Sequence, residues 1–413
     1  MNYKIKLDNQ QVELQIPSDQ VEIITFKEVP VFNQEDLIRK SLTSPLDSVD
    51  LETFLKDKQK ILIIVNDGSR NTPTSLVIAT LQEYLKNKDY KFIVALGTHK
   101  KPTEEEFVRI FGSFYPLLKD RIICHDAKND VMLELGQTTR GTKVKFNSEI
   151  KNADGIIIIS SVEPHYFAGY TGGRKSLLPG IAAFETIEKN HSLALKKSAQ
   201  ILKLEGNPIH EDMAEAVKMI KTDIFCLLSV LNSEDKIFFT TSGNIHSTLK
   251  AAAKKVKKVY SPEVKQKADI IIAIDQPPLD LDLYQSQKDL ENCNSILNDG
   301  GIFILVSRCK QGIGNRTFYD LMATCNSPEE VFQKVEKNYK LGYHKAAKFV
   351  SFMRRNKLWL VSEIDDDVLR KIFIEPFNSL QIAVDEAIKI KGKDAKIALI
   401  NNARISVPRL KTE

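Results

Sequence analysis

The 413-residue sequence has few cysteines, little net charge and no long hydrophobic run, and each shortage excludes a class of protein. Its five cysteines show no CxxC spacing, which indicates neither a disulfide framework nor a cysteine zinc site. The net charge of +5 is small and the basic residues are dispersed, so we expect no nucleic-acid partner. No segment approaches the roughly 18 apolar residues of a membrane span, and the first residues do not resemble a signal peptide. We therefore expect a cytoplasmic protein with no membrane partner.

Short continuous apolar runs alternate with amphipathic segments through most of the chain. Six of these runs lie in the first two thirds of the sequence, at 61–65, 92–96, 121–124, 155–162, 224–230 and 236–243. The pattern restarts near residue 266, with runs at 269–274, 301–307, 358–362 and 396–401. Continuous runs predict strands that are buried on both faces, as in a parallel sheet covered by helices.

The fold class predicted from this pattern is α/β, with two α/β domains built on mainly parallel sheets. We place the N-terminal domain at residues 1–266 and the C-terminal domain at residues 267–413, with the active site in the interdomain cleft. The first 25 residues alternate polar and apolar side chains on either side of Asp8 and Asn9, which predicts a β-hairpin. Thr103, followed three residues later by Glu106, predicts the start of a helix with a capping box.

Polar residues follow several of the predicted strands directly. Asp67 and Arg70 follow the first run, His99 follows the second and His165 follows the fourth. In open α/β sheets, ligands bind outside the carboxyl ends of the strands. A structural explanation is also available, because Asp67 precedes a glycine and can form a turn, and His99 can begin a loop. Taken together, the four residues predict a site at this edge of the first sheet.

The segment after His165 is rich in glycine, with Gly169, Gly172 and Gly173 close together, followed by Arg174 and Lys175. Such a loop lets the backbone approach a ligand closely, and its two basic residues are potential partners of a phosphate or carboxylate. The sequence nearly fits the P-loop pattern, but Arg174 occupies the position of the required second glycine. A phosphoryl-transfer enzyme is therefore an alternative interpretation of this loop, and the misplaced arginine argues against it.

The seven histidines do not form a conventional metal-binding motif, since neither HxH nor HExxH spacing occurs. A zinc site with three protein ligands is therefore not indicated. A metal held mostly by a cofactor, which needs a single protein imidazole, is compatible with this distribution.

These motifs, in this order, resemble the family of lactate racemase and its relatives, the 2-hydroxyacid racemases and epimerases that depend on a nickel-pincer nucleotide. The resemblance extends over nearly the whole chain, and its long central block is highly specific. The matching pieces are Asp67 with Arg70, Gly97-Thr98-His99, Glu163-Pro164-His165-Tyr166, Gly172-Gly173-Arg174-Lys175-Ser176-Leu177-Leu178-Pro179-Gly180, Asn190-His191 and Tyr284-Gln285-Ser286-Gln287-Lys288.

The resemblance implies a covalent cofactor, a pyridinium mononucleotide that holds nickel through two sulfurs and a ring carbon and is installed with the help of cofactor-assembly enzymes. It also implies a role for each matching residue. These roles are covalent attachment for Lys175, further cofactor contacts for Asp67, Gly172, Gly173 and Arg174, nickel coordination for His191, acid–base catalysis for His99 and His165, and substrate binding for Arg70, Tyr284, Gln285 and Lys288.

The implied activity is inversion of C2 of a 2-hydroxy acid by reversible hydride transfer. Loss of hydride, together with the hydroxyl proton, gives a planar keto acid that can be reduced again from either face. Imidazole suits the proton transfers because its pKa lies near the operating pH.

One departure concerns the first motif, in which lactate-specific members carry Asp-His-Thr-Arg-Pro. Here Gly68 replaces the bulky imidazole and proline is delayed to Pro73. A malate-like or sugar-acid substrate is therefore at least as well indicated as lactate. A third interpretation is a non-catalytic binder of a small acid or nucleotide, although a binder does not need two imidazoles at separate strand ends.

Overall fold

The computed structural model describes residues 2–7, 10–16, 20–276 and 280–411, and it divides into two compact units. The chain begins with three strands, β1 (Asn2–Leu7), β2 (Gln10–Gln15) and β3 (Val21–Ile24). The first two strands pair antiparallel, which confirms the predicted hairpin, although its turn at Asp8 and Asn9 lies outside the described residues.

The first unit, Glu28–Val259, is built around a six-stranded sheet and two small hairpins. Its strands are β4 (Lys60–Asn66), β5 (Asp89–Ala95), β6 (Ile122–Cys124), β7 (Met132–Gln137), β8 (Lys143–Asn147), β9 (Gly155–Ser161), β10 (Pro164–His165), β11 (Gly169–Tyr170), β12 (Asp223–Leu231) and β13 (Ile237–Gly243). Its helices are α1 (Gln34–Thr43), α2 (Leu51–Leu55), α3 (Thr74–Leu85), α4 (Glu104–Phe111), α5 (Tyr115–Leu118), α6 (Phe184–Ser192), α7 (Pro208–Lys218) and α8 (Ile245–Tyr260).

The strand order in this sheet is β13-β12-β9-β4-β5-β6, and every neighbouring pair is parallel except β12 with β13. Strand β9, with the sequence GIIIISS, is buried along its whole length, as expected of a central strand covered on both faces. Helix α4 begins with the predicted capping box, in which Thr103 and Glu106 satisfy each other's backbone N–H groups.

The second unit combines the three N-terminal strands with the chain from Tyr260 onward. Its further strands are β14 (Glu263–Val264), β15 (Ala268–Ile274), β16 (Leu297–Val306), β17 (Lys357–Val361), β18 (Glu375–Phe377), β19 (Ile397–Asn401) and β20 (Arg409–Leu410). Its helices are α9 (Leu283–Cys293), α10 (Arg316–Ala323), α11 (Pro328–Lys337), α12 (Tyr343–Met353), α13 (Asp366–Arg370) and α14 (Leu380–Lys391). The sheet, in the order β18-β17-β16-β15-β19-β3, is parallel throughout.

The α/β class and the mainly parallel sheets are therefore confirmed, and the division of the chain differs from the predicted one at its N-terminus. The sequence placed residues 1–266 together, but β3 pairs with β19 in the second sheet. Ile5, Leu14 and Ile16 of the N-terminal segment join a core cluster with side chains of β15, β16 and α14. This burial of apolar surface ties the N-terminal strands to the second unit. Among the described residues, no helix is long and apolar enough to cross a membrane.

Candidate active site

Three segments at the carboxyl edge of the first sheet carry Asp67, His99 and His165. Asp67 follows β4, His99 follows β5 by four residues, and His165 lies just beyond β9. Because β4 lies between β5 and β9 in the sheet, these segments leave from the same edge.

Asp67 and His99 form a hydrogen-bonded pair, with 2.5 Å between Asp67 Oδ2 and His99 Nδ1. Burial alone would raise the pKa of Asp67, but the hydrogen bond and charge of His99, the hydrogen bond from Ser69 and the charge of Arg70 lower it to about 2. The carboxylate is therefore ionised and accepts the proton on Nδ1, which leaves Nε2 as the basic nitrogen of His99. The His99 side chain is 52% exposed, so this nitrogen is accessible to a small substrate.

Arg70 forms an ion pair with Glu163, with 2.8 Å between Arg70 Nη1 and Glu163 Oε2. Both side chains are partly buried, and Glu163 is fixed in turn because its backbone N–H donates to Thr171 Oγ1. A guanidinium carries five N–H donors, so the contact with Glu163 positions Arg70 and is compatible with a second carboxylate.

His165 is buried in the short hairpin of β10 and β11. Its Nδ1 accepts a hydrogen bond of 3.3 Å from the backbone N–H of Ala168, which places the proton of the neutral ring on Nε2. The ring stacks on Tyr166, with centroids 5.1 Å apart. His99 and His165 therefore have opposite tautomers, with a basic Nε2 in the first and a protonated Nε2 in the second.

The glycine-rich loop places Lys175 in a short 3-10 turn, Gly173–Ser176. Gly172, with φ of 82°, precedes the turn, and a Cβ there would stand 2.6 Å from Val162 Cγ2. Burial, followed by the positive charges of Arg70 and Arg174, lowers the pKa of Lys175 well below its usual value. The amine is therefore neutral more readily than an ordinary lysine, as a nucleophilic lysine requires.

Arg174 is 1% exposed, and its guanidinium lies against the main chain of the same loop. It donates to the carbonyl oxygens of Ala168 at 2.8 Å and Tyr170 at 3.1 Å, and at longer range to those of Thr171 and Gly172. Burial lowers its pKa to about 9. The loop is thus built around an arginine where a P-loop has glycine, which removes the support for a phosphoryl-transfer site; a contact between Arg174 and a cofactor stays a prediction.

The ring of Phe167 lies next to three of the predicted site residues. Its centroid lies 4.5 Å from that of His165 and 5.0 Å from that of His191, and Lys175 Nζ lies 5.5 Å from it. Sequence reasoning assigned Phe167 no role. The signal available was its place between His165 and the first glycine of the loop.

His191 lies in the last turn of α6. Burial, followed by the charge of Lys175, lowers its pKa to about 3, although a hydrogen bond with the backbone of Ile187 acts in the opposite direction. The imidazole is therefore neutral at physiological pH, which is the form that binds metals. In the described ranges no three His, Cys, Asp or Glu side chains are grouped as a metal would need.

Tyr284, Gln285 and Lys288 lie in the first turns of α9, in the second unit. All three are partly exposed, whereas Ser286 between them is buried. Asp282 begins this helix, and its carboxylate accepts a hydrogen bond of 2.7 Å from the backbone N–H of Gln285. These three predicted substrate-binding residues therefore lie on a partly exposed face at the start of a capped helix.

Comparison with known proteins places this arrangement in a family. The family model described as the lactate racemase N-terminal domain matches residues 7–202, and the lactate racemase C-terminal domain matches residues 264–407. The chain belongs to the lactate racemase family. It is 29% identical to the lactate racemases of Thermoanaerobacterium thermosaccharolyticum, over 381 residues, and Lactiplantibacillus plantarum, over 382 residues, with 89% of each chain covered in both alignments.

The structural comparison agrees with this assignment. The lactate racemase apoprotein of T. thermosaccharolyticum superposes with a TM-score of 0.91 at 27% identity, over 99% of this chain and 100% of that one. A Thermotoga maritima protein, at 17% identity and a TM-score of 0.71, shares the fold. Within the lactate racemase family this chain is an enzyme, an isomerase of the racemase class. His99, His165, Lys175 and His191 fall within the N-terminal domain match, and Tyr284, Gln285 and Lys288 fall within the C-terminal one.

Proposed function

We propose that this racemase inverts C2 of a 2-hydroxy acid with the help of a nickel-pincer nucleotide attached to Lys175. The observation that carries the proposal is the juxtaposition of Lys175 and His191 on the ring of Phe167. One is a lysine whose pKa is strongly lowered, and the other is an imidazole that stays neutral. A residue suited to covalent attachment and a residue suited to bind a metal therefore both lie against the Phe167 ring.

The residues around Lys175 fit such a group. Ser176 Oγ is buried and has no hydrogen-bond partner in the part of the chain that is described. This hydroxyl is therefore available to form a hydrogen bond with a polar ligand. His191 offers one neutral nitrogen donor, and the cofactor brings its own metal ligands, which suits a site without a three-residue cluster. When bound, the group supplies a hydride acceptor, which no side chain provides.

The protein's own residues then bind the substrate and move its protons. Arg70, held by Glu163, binds the carboxylate of the acid. His99 Nε2 accepts the hydroxyl proton, while Asp67 stabilises the resulting imidazolium through Nδ1. His165 carries a proton on Nε2 and returns one to the oxygen when the keto acid is reduced from the other face. Each histidine exchanges these roles in the reverse direction.

The second unit contributes Tyr284, Gln285 and Lys288 to this proposal. These side chains lie on a partly exposed face of α9 and hydrogen-bond to the substrate. The neighbourhood of Gly68 favours an acid more polar than lactate. A Cβ at Gly68 would stand 2.6 Å from Arg109 Nη2, so a guanidinium occupies the space that a larger residue would fill.

The test is to produce the protein together with the cofactor-assembly enzymes and to measure its intact mass and nickel content. We expect an adduct on Lys175, about one nickel per chain, and racemisation or epimerisation of a member of a panel of chiral 2-hydroxy acids. The panel compares lactate, malate and sugar acids. An unmodified Lys175 without nickel under these conditions would disprove the proposal. Saturable magnesium-dependent ATP binding, lost in Lys175→Ala, would instead support the phosphoryl-transfer alternative.

A further inference from the structure

Helix α6, which carries His191 near its end, is anchored at its start by the β7–β8 hairpin. Thr186 Oγ1 donates to the carbonyl oxygen of Lys143 at 2.7 Å and accepts from the backbone N–H of Lys145 at 3.2 Å. The backbone N–H of Phe184 donates to the carbonyl oxygen of Ala127. These contacts fix the first turn of the helix and leave the last turn to be fixed separately.

The last turn is held by a single buried carboxylate. Asn190, which precedes His191, donates from Nδ2 to Asp212 Oδ2 at 2.7 Å, and both side chains are fully buried. Asp212 lies on α7 and also accepts hydrogen bonds from Thr138 Oγ1 at 2.6 Å and Thr142 Oγ1 at 2.9 Å. One carboxylate therefore joins α6, α7 and the turn between β7 and β8.

Stability alone does not explain why a buried carboxylate holds this helix. Removing a carboxylate from water without a counter-ion has a free-energy cost that apolar packing does not have. Within the described chain no basic side chain forms an ion pair with Asp212, and its three side-chain hydrogen-bond donors are neutral. The carboxylate does give direction, because it accepts only donors and so admits the Asn190 amide in one orientation.

We propose that Asp212 is a positioning residue, which fixes Asn190 and thereby holds the His191 imidazole in the orientation that binds nickel. The inference rests on the proposed function and extends it to a residue that does not touch the cofactor. Phe167 packs edge-on against the His191 ring, so the imidazole is held by its own helix and by this ring. Groups that orient a metal-binding imidazole contribute to metal affinity without contacting the metal.

The test compares nickel release from holoenzyme carrying Asp212→Asn or Thr142→Val. Both variants disturb the same buried cluster, but Thr142→Val removes a hydrogen-bond donor to Asp212 and leaves the Asn190 contact in place. Each holoenzyme is dialysed against EDTA well below its melting temperature, and the bound nickel is followed with time. We expect Asp212→Asn to lose nickel about 10-fold to 100-fold faster than the parent. Thr142→Val should lower Tm while its nickel release stays within about 2-fold of the parent.

A double-mutant cycle with Asn190→Ala separates positioning from general loosening. If Asp212 acts through Asn190, the double variant releases nickel no faster than Asn190→Ala alone. Additive effects, or equal release rates in Asp212→Asn and Thr142→Val, would overturn the inference. If Asp212→Asn does not fold, Asn190→Ala against Thr142→Val gives the same decision, because faster release is then expected of Asn190→Ala alone. A parent protein that carries no nickel and no Lys175 adduct contradicts the proposed function, whereas nickel retained equally by parent, Asp212→Asn and Asn190→Ala contradicts this inference alone.

Discussion

Each of the two units has a lysine whose pKa is lowered by burial, and the surroundings of these two lysines differ. Lys345 is buried and Lys175 is partly buried. The charges that act on Lys175, those of Arg70 and Arg174, are positive and add to burial in lowering its pKa. Lys345 is buried on α12, and burial followed by the charge of Arg404 lowers its pKa to about 7, while nearby carboxylates act in the opposite direction. Those acids are Asp282, Glu291 and Asp289.

The contacts of the two amines follow this difference. Lys345 Nζ donates to the carbonyl oxygen of Tyr284 and lies 4.1 Å from the centroid of the Tyr284 ring, so it supports the start of α9. Lys175 Nζ lies beside the ring of Phe167, which also packs against the imidazole of His191. A partly buried lysine near other positive charges is suited to react, and a buried lysine near carboxylates is suited to hold structure.

The largest effect is expected from Lys175. Lys175→Ala should abolish the cofactor adduct and reduce racemisation to background, because it removes the amine with a lowered pKa that lies over the Phe167 ring. Intact mass and chiral product analysis measure both. Lys345→Met is the matched control, since it removes a buried lysine of similar size from the other unit and should keep the adduct. An adduct in Lys175→Ala, or its loss in Lys345→Met, would break the comparison.

A somewhat smaller effect is expected from the Asp67–His99 pair. His99→Ala should lower kcat by about 10²-fold to 10⁴-fold, the usual contribution of a general base, while nickel content stays unchanged. Asp67→Asn removes the carboxylate that holds the proton on Nδ1 and should lower kcat by a smaller factor. Rates at saturating substrate are measured on holoenzyme of equal nickel content. Parent-level racemisation by His99→Ala would refute the role of His99 and leave the family assignment intact.

A third effect, on substrate affinity, is expected from Lys345. Lys345→Met should raise KM by about 10-fold with a small change in kcat, because Tyr284, Gln285 and Lys288 lose the support of their helix start. Lys348→Met is the matched control on the same helix, since Lys348 pairs with Glu291, further along α9, at 3.2 Å. Steady-state kinetics of both variants decide the matter. Equal KM values would show that Lys345 serves stability alone.

The fold was largely predictable because buried parallel strands appear in sequence as continuous apolar runs. The runs at 61–65, 155–162 and 269–274 all lie in the two sheets. The prediction assigned the N-terminal strands to the first unit. In the structure β3 pairs with β19, and this contact joins segments that are far apart in the sequence. Local alternation in the sequence predicts a strand, and it does not indicate which sheet edge the strand joins.

Site residues were predictable where they follow neighbouring strands. Asp67 and His99 follow β4 and β5, which are adjacent in the sheet, so their contact was within reach of the sequence. The contacts of Arg174 with backbone carbonyls could not be predicted from the sequence, because the path of the loop decides whether an arginine faces a ligand or its own main chain. The contacts that Asp212 makes were not indicated by the sequence either. Its helix has an ordinary amphipathic pattern, and folding brings the two threonines to it.

The smallest effect concerns the pH dependence of the apoprotein's stability, to which His191 contributes. Its pKa in the folded chain is about 3, below the ordinary value of 6.5, so between these values the unfolded chain binds a proton that the folded chain does not. Stability from this group is present above pH 6.5 and is lost as pH falls toward 3. The loss amounts to about 1.4 kcal/mol per pH unit for one proton. His191→Gln should remove that slope, as measured by urea unfolding of parent and variant apoprotein at pH 7.5, 6, 5 and about 4.

Lys175→Met sharpens the comparison of the two lysines. Without the ammonium's repulsion, the pKa of His191 should rise and the acid loss should become shallower. Identical pH profiles in parent and Lys175→Met would mean that the charge of Lys175 does not act on His191 over this pH range.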